Sequence, residues 1–171
     1  MKKLMFALGF VLLVPLMVRA DNLLVSIRGG IGVDPVSGIS SGAPVANTVC
    51  GVAPGGLPWR IAHLHAEVST DGHIDVDGRG LLLAGGNVIA TNGGQSVRAE
   101  LFCNTNASSC GTGFVTNAGG VALDANGDFK IDDTLSPTPL PDTCTTPVFL
   151  IVSATNGHWF AAGIPSQPRD H

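Results

Sequence analysis

The stretch that decides the fold is 61–80, "IAHLHAEVSTDGHIDVDGRG". Polar side chains fall on alternate positions, at His63, His65, Glu67 and Ser69, then at His73, Asp75, Asp77 and Arg79. Between them lie Leu64, Ala66, Val68, Ile74 and Val76. A period of two marks strands with one buried face and one wet face. The break at Thr70-Asp71-Gly72 reads as a three-residue hairpin loop, with glycine where a left-handed backbone is required. That loop pairs Ser69 with His73, Val68 with Ile74, Ala66 with Val76 and His65 with Asp77. A two-residue Asp-Gly loop would set Val68 against Asp75, and a one-residue slip inverts every side chain. The longer loop is therefore expected.

The same pattern continues outward. Short β-branched runs alternate with glycine and proline clusters, and no window carries a sustained helical rhythm. Strands are expected in "LLVSIRG", "VANTVCGV", "WRIAHLHAEVS", "HIDVDGRGLLLA", "SVRAELFC", "GFVT", "GVALD", "DFKIDDTL", "PVFLIVS" and "HWFAAGI". The unbroken apolar run "VFLIV" implies a central strand covered on both faces. A second three-residue loop, Ala125-Asn126-Gly127, predicts a hairpin setting Leu123 against Phe129 and Val121 against Ile131. Two segments read as loops, "VDPVSGISSGAP" and the proline-rich "SPTPLPDTCTTP". The expected fold is all-β, an antiparallel β-sandwich (Ig-like or jelly-roll-like) of about eight to ten strands.

The first twenty residues, "MKKLMFALGFVLLVPLMVRA", have a basic start, an apolar core, and Val18 and Ala20 at the signal-peptidase positions. A cleaved secretory signal of bacterial type over 1–20 is expected, followed by one domain over 21–171. The apolar run is too short for a membrane anchor. Cleavage removes Lys2, Lys3 and Arg19, leaving six basic residues against thirteen acidic ones, a net charge of −7. A body so acidic lacks the clustered cations that begin nucleic-acid recognition. All four cysteines, Cys50, Cys103, Cys110 and Cys144, lie in the exported part, which implies two disulfides in the periplasm or outside the cell. The short gap favours pairing Cys103 with Cys110 and Cys50 with Cys144. Zinc would want a C-x-x-C pair, and none is present.

With the first hairpin in register, His63, His65, Glu67, Asp75 and Asp77 share one face. His63 and His65 at His-x-His spacing, with Asp77 opposite His65, form a ligand set for zinc or copper. The same residues also make an ordinary solvated sheet face. Neither "HIDVDG" nor "DANGDF" completes a calcium loop. "GISSG" places Ser40 in a nucleophile motif but lacks the strand and helix that motif needs, so a hydrolase finds no catalytic constellation. No dinucleotide or phosphate loop occurs. Trp59 and Trp159-Phe160 are groups that stack on sugars or other apolar ligands, although apolar neighbours favour a core role.

"AHLH" followed by a short glycine turn, over about residues 62 to 74, resembles the His-x-His segment of CHRD domains, secreted β modules of chordin and of bacterial exported proteins. No function is carried over from that likeness; export, cysteines and strand pattern together give the expectation of a small exported binding or structural module for an unidentified ligand, more binding protein than enzyme. The rival expectation is a zinc or copper protein using the His63/His65 face. Self-association through edge strands remains open.

Overall fold

The computed structural model describes residues 23–106 and 108–166; the expected signal lies outside them. Among the described residues there is no α-helix. Thirteen strands follow in order: β1 (Leu23–Gly32), β2 (Val36–Ser40), β3 (Ala43–Ala46), β4 (Trp59–Arg60), β5 (His63–Ser69), β6 (His73–Arg79) and β7 (Leu82–Leu83). They continue with β8 (Ser96–Phe102), β9 (Gly113–Val115), β10 (Val121–Ala122), β11 (Phe129–Thr134), β12 (Val148–Ser153) and β13 (Trp159–Pro165).

Nine of these form one antiparallel sheet in the order β10-β8-β12-β13-β1-β5-β6-β11, with β9 also on β8. The first hairpin has the expected register, His65 facing Asp77 and Val68 facing Ile74. Gly72 takes a φ of 90°, closed by its N–H on the Ser69 carbonyl at 2.9 Å. The strand of "VFLIV" is central, and Phe149, Leu150, Ile151 and Val152 are all fully buried.

Where a sandwich packs two sheets face to face, this sheet curls into a half-barrel and packs on itself. Leu64, Ala66, Ile74 and Val76 from β5 and β6 share one continuous core with Val97, Leu101, Phe149 and Ile151 from β8 and β12. Curling brings the sheet's two ends together, for Val115 and Ser136 exchange both backbone hydrogen bonds at 2.8 Å. The Asn117 N–H also donates to Asp133 Oδ2 at 2.7 Å.

This closure corrects the second expected hairpin. Gly127 does turn the chain, at φ 79°, with Asp124 Oδ1 accepting from the N–H groups of Asn126 and Asp128. Its arms then diverge, β10 pairing with β8 and β11 with β6. Phe129 faces Gly78 of β6 rather than Leu123, its ring filling the space a Cβ on Gly78 would need. The turn therefore spans the two edges of the sheet.

Two further expectations are corrected. The loop "VDPVSGISSGAP" holds β2, the turn and the start of β3, a hairpin where Ser40 faces Ala43 across Ser41 (φ 51°) and Gly42 (φ 80°). Positive φ at both central residues is the two-residue turn that matches strand twist. Every residue of this hairpin is exposed.

The disulfides join Cys50 to Cys110 and Cys103 to Cys144, instead of Cys103 to Cys110 and Cys50 to Cys144. The reason is the β8–β12 ladder, which places Phe102 opposite Val148. Beyond it, Thr145 N donates to Asn104 Oδ1 at 3.0 Å, and Thr105 Oγ1 and Thr146 Oγ1 each donate to the other's carbonyl. Those bonds lay 104–105 along 145–146 and bring Cys103 to Cys144. Cys110, at the far side of its loop, meets Cys50.

Candidate functional site

Two places on the molecule gather chemistry. The first is the outer face of β5, β6 and β11. Pairing sets Arg28, His65, Asp77 and Lys130 in one row across four strands, and Ser26, Glu67, Asp75 and Asp132 in the next. His63 is exposed and stands opposite Arg79. His65 is half-buried, its Nε2 enclosed and 3.4 Å from Glu67 Oε1, close for an ion pair but without a hydrogen bond. Asp77 receives the Arg79 Nε–H at 3.0 Å, with the Lys130 ammonium at 3.7 Å. The Arg79 hydrogen bond holds the Asp77 carboxyl below its ordinary 3.8, helped by the charges of Arg79 and Lys130 and opposed by partial burial.

His65 and Asp77 are thus opposite one another, as the hairpin register requires, while the Asp77 carboxylate engages cations. A different trio converges. His73 Nε2 lies 3.2 Å from Asp75 Oδ2 and 3.8 Å from Asp132 Oδ1, and one ligand atom from each residue lies within 4.8 Å of the others. All three are exposed. Asp132 belongs to this group because β11 pairs with β6, the pairing that sequence periodicity assigned to β10. The alternation of "DFKIDD" points Lys130 and Asp132 outward but does not say toward which neighbour.

The second place is a cleft of about 520 Å³ at one end of the sheet. Trp59 of β4 and Phe160 of β13 form its wall, their rings stacked with centroids 4.2 Å apart and planes at 21°. Trp59 is pinned by its N–H to the Val33 carbonyl at 2.9 Å and by its ladder partner Leu83. It is only 6% exposed, and its indole N–H has no acceptor among the described residues. By contrast, the Trp159 indole donates to the Asn47 carbonyl at 2.8 Å, so that ring is a satisfied core group.

Opposite the aromatic wall runs the 84–95 loop. Leu83 exchanges backbone bonds with Ala90 and Thr91, and Asn92 Nδ2 donates to the carbonyls of Leu123 and Asp124. These bonds fix Gly93 and Gln95 in the cleft lining. Thr91, Asn156 and His158 complete a polar rim, while Leu57 and Val88 give apolar flanks that are 39% and 48% exposed. Sequence reasoning singled out Trp59 and Phe160 but not this loop. The run "AGGNVIATNGGQ" carries two exposed apolar residues between glycine pairs, a visible mark of an irregular wall.

Comparison with protein-family models, with curated proteins and with solved structures gives no match to this chain, and the CHRD likeness rests on residues 62 to 74 alone.

Proposed function

We propose that the protein is an exported, disulfide-stapled binding module whose ligand site is the cleft between Trp59–Phe160 and the 84–95 loop. The supporting observation is the cleft itself, concave, about 520 Å³, and mixed in lining, with aromatic and aliphatic walls and a few polar groups at the rim. Small-molecule sites have this size and character. Two disulfides fit an oxidising, extracytoplasmic setting, and a signal over 1–20 would deliver the chain there.

A plug tests the reading. Gly56 lines the cleft and a Cβ there meets nothing within 4 Å, so Gly56→Phe adds a ring at the lining without forcing the core apart. Small neutral fragments found on the wild type by saturation-transfer NMR are expected to lose binding to Gly56→Phe at unchanged melting temperature. Fragments that bind both proteins equally would place the site elsewhere.

A second reading is favoured by the convergence of His73, Asp75 and Asp132, which would hold zinc or copper on the outer sheet face. The His-x-His set of His63, His65 and Asp77 is the rival ligand group on that same face. Calorimetric zinc and copper titrations of untagged protein separate them. Loss of binding in His73→Gln assigns the metal to the trio, and loss in the His63→Gln/His65→Gln double variant assigns it to the His-x-His set. Neutral imidazole is the ligand, so protons compete and affinity should fall on acidification in either case. Binding no tighter than about millimolar would leave a solvated face.

A further inference from the structure

Resting on the cleft as ligand site, the chemistry of its lining narrows the ligand. None of the residues lining it is Asp, Glu, Lys or Arg, although the mature chain is strongly acidic. Apart from His158, no lining group offers an entering ion a counter-charge for the water it loses. Nucleotides and sugar acids are disfavoured on that ground.

The lining is amphiphilic in a definite arrangement. The ring of Trp59 spans the wall between two glycines. Its Nε1 lies 3.2 Å from where a Cβ on Gly55 would stand, and its Cη2 lies 3.5 Å from the corresponding point on Gly93. The indole N–H therefore sits at the Gly55 end, without a protein acceptor among the described residues. A donor at the cleft without a protein partner is available to a ligand that brings an oxygen to it.

The rim supplies the complementary groups. Asn156 Oδ1 accepts from the His158 N–H at 3.1 Å, which leaves its NH2 free to donate. The Thr91 hydroxyl donates to the Val88 carbonyl at 2.8 Å, which leaves its oxygen free to accept. Hydroxyl groups are both donors and acceptors and suit such a mixed rim. Of the lining glycines, Gly56 leaves open space, while Gly55 and Gly93 pack against the Trp59 ring.

We infer that the cleft binds a neutral saccharide, a pyranose whose apolar face lies against the exposed Leu57 and Val88 flanks and whose oxygens meet the Trp59 indole N–H and the rim.

The test is a titration of 15N-labelled mature protein with maltose, cellobiose and N,N′-diacetylchitobiose, read at the two tryptophan indole N–H signals. At least one disaccharide should shift the Trp59 signal saturably, while the Trp159 signal, held by Asn47, stays fixed. Digalacturonate should bind at least about tenfold more weakly than the best neutral sugar. Trp59→Phe removes the donor and keeps a ring, and, read at the backbone amides of Gly56 and Gly93, should weaken binding by about tenfold. Asn156→Ala, at an exposed rim position, should weaken it several-fold and covers disturbance of the core by the first variant. Equal affinity in both variants would overturn the assignment. If caffeine or indole shifts the Trp59 signal and no disaccharide does, the cleft stands as a ligand site and the saccharide assignment fails. If no compound moves that signal, both fail.

Discussion

Glu100 lies on β8 between Leu150 of β12 and Val115 of β9, with its Oε1 packed over Gly113. Burial pushes its carboxyl above the ordinary 4.5, and the charge of Arg98 offsets only part of that effect. The folded state therefore holds the Glu100 proton more tightly than the unfolded chain does. Stability from this group is fully present below about pH 4.5 and is lost as pH rises through the higher folded value. Replacing Glu100 by Gln should raise the melting temperature at pH 7, by on the order of 2 °C after allowing for water around a half-buried group. At pH 3 the variant and wild type should melt together. Asp77 has the opposite sign, since its Arg79 bond adds stability above about pH 3.8 that disappears on acidification. The Glu100 shift was not legible from the sequence, because it depends on the depth of the side chain, whereas Asp77 and Arg79 lie two residues apart on one face of one strand.

At the scale of elements, what the sequence reveals depends on how local the pairing is. The β5–β6 hairpin was legible because three loop residues and two alternating strands determine every facing pair. The apolar run of β12 likewise declared its own central position. Pairing between β11 and β6 was not legible, since "DFKIDD" alternates equally well against any partner and only closure of the sheet selects one. The β2–β3 hairpin escaped notice for another reason. Its strands alternate nothing, because neither face is buried, and its one sign was the Ser41-Gly42 turn. A two-stranded hairpin that covers no core adds little to global stability. Replacing residues 37–45 by a short Gly-Ser linker should change the urea unfolding midpoint by less than about 0.5 kcal/mol equivalent. The anchoring bonds of Asn47 to Pro35 and Asp34 are left intact by that change. A large loss would show that Ile39, which is 77% exposed, contacts something in the folded molecule.

For the whole molecule the disulfides matter most. The candidate cleft was half legible, since Trp59 and Phe160 stood out, while the opposing loop is defined by long-range bonds of Asn92. The cystine pairs were misread because proximity along the chain was weighed above proximity through the β8–β12 ladder. Non-reducing peptide mapping should recover Cys50–Cys110 and Cys103–Cys144 peptides, with no Cys103–Cys110 peptide. The bridges close loops of separation 60 and 41, and opening either one should cost about 4 kcal/mol on the chain-entropy picture.

Their interleaving also governs how the molecule would respond to being pulled. Strands β1 and β13 run antiparallel, with Ser166 bonded to Ser26, so their outer ends leave the sheet side by side. Tension applied there peels the two strands apart bond by bond instead of shearing them together. The covalent path then crosses from Cys50 to Cys110, runs back to Cys103, and crosses to Cys144. Residues 51–102 and 111–143 lie off that path and carry no load while the bridges are closed. The oxidised chain is a short tether with a slack interior, and only reduction releases its full length.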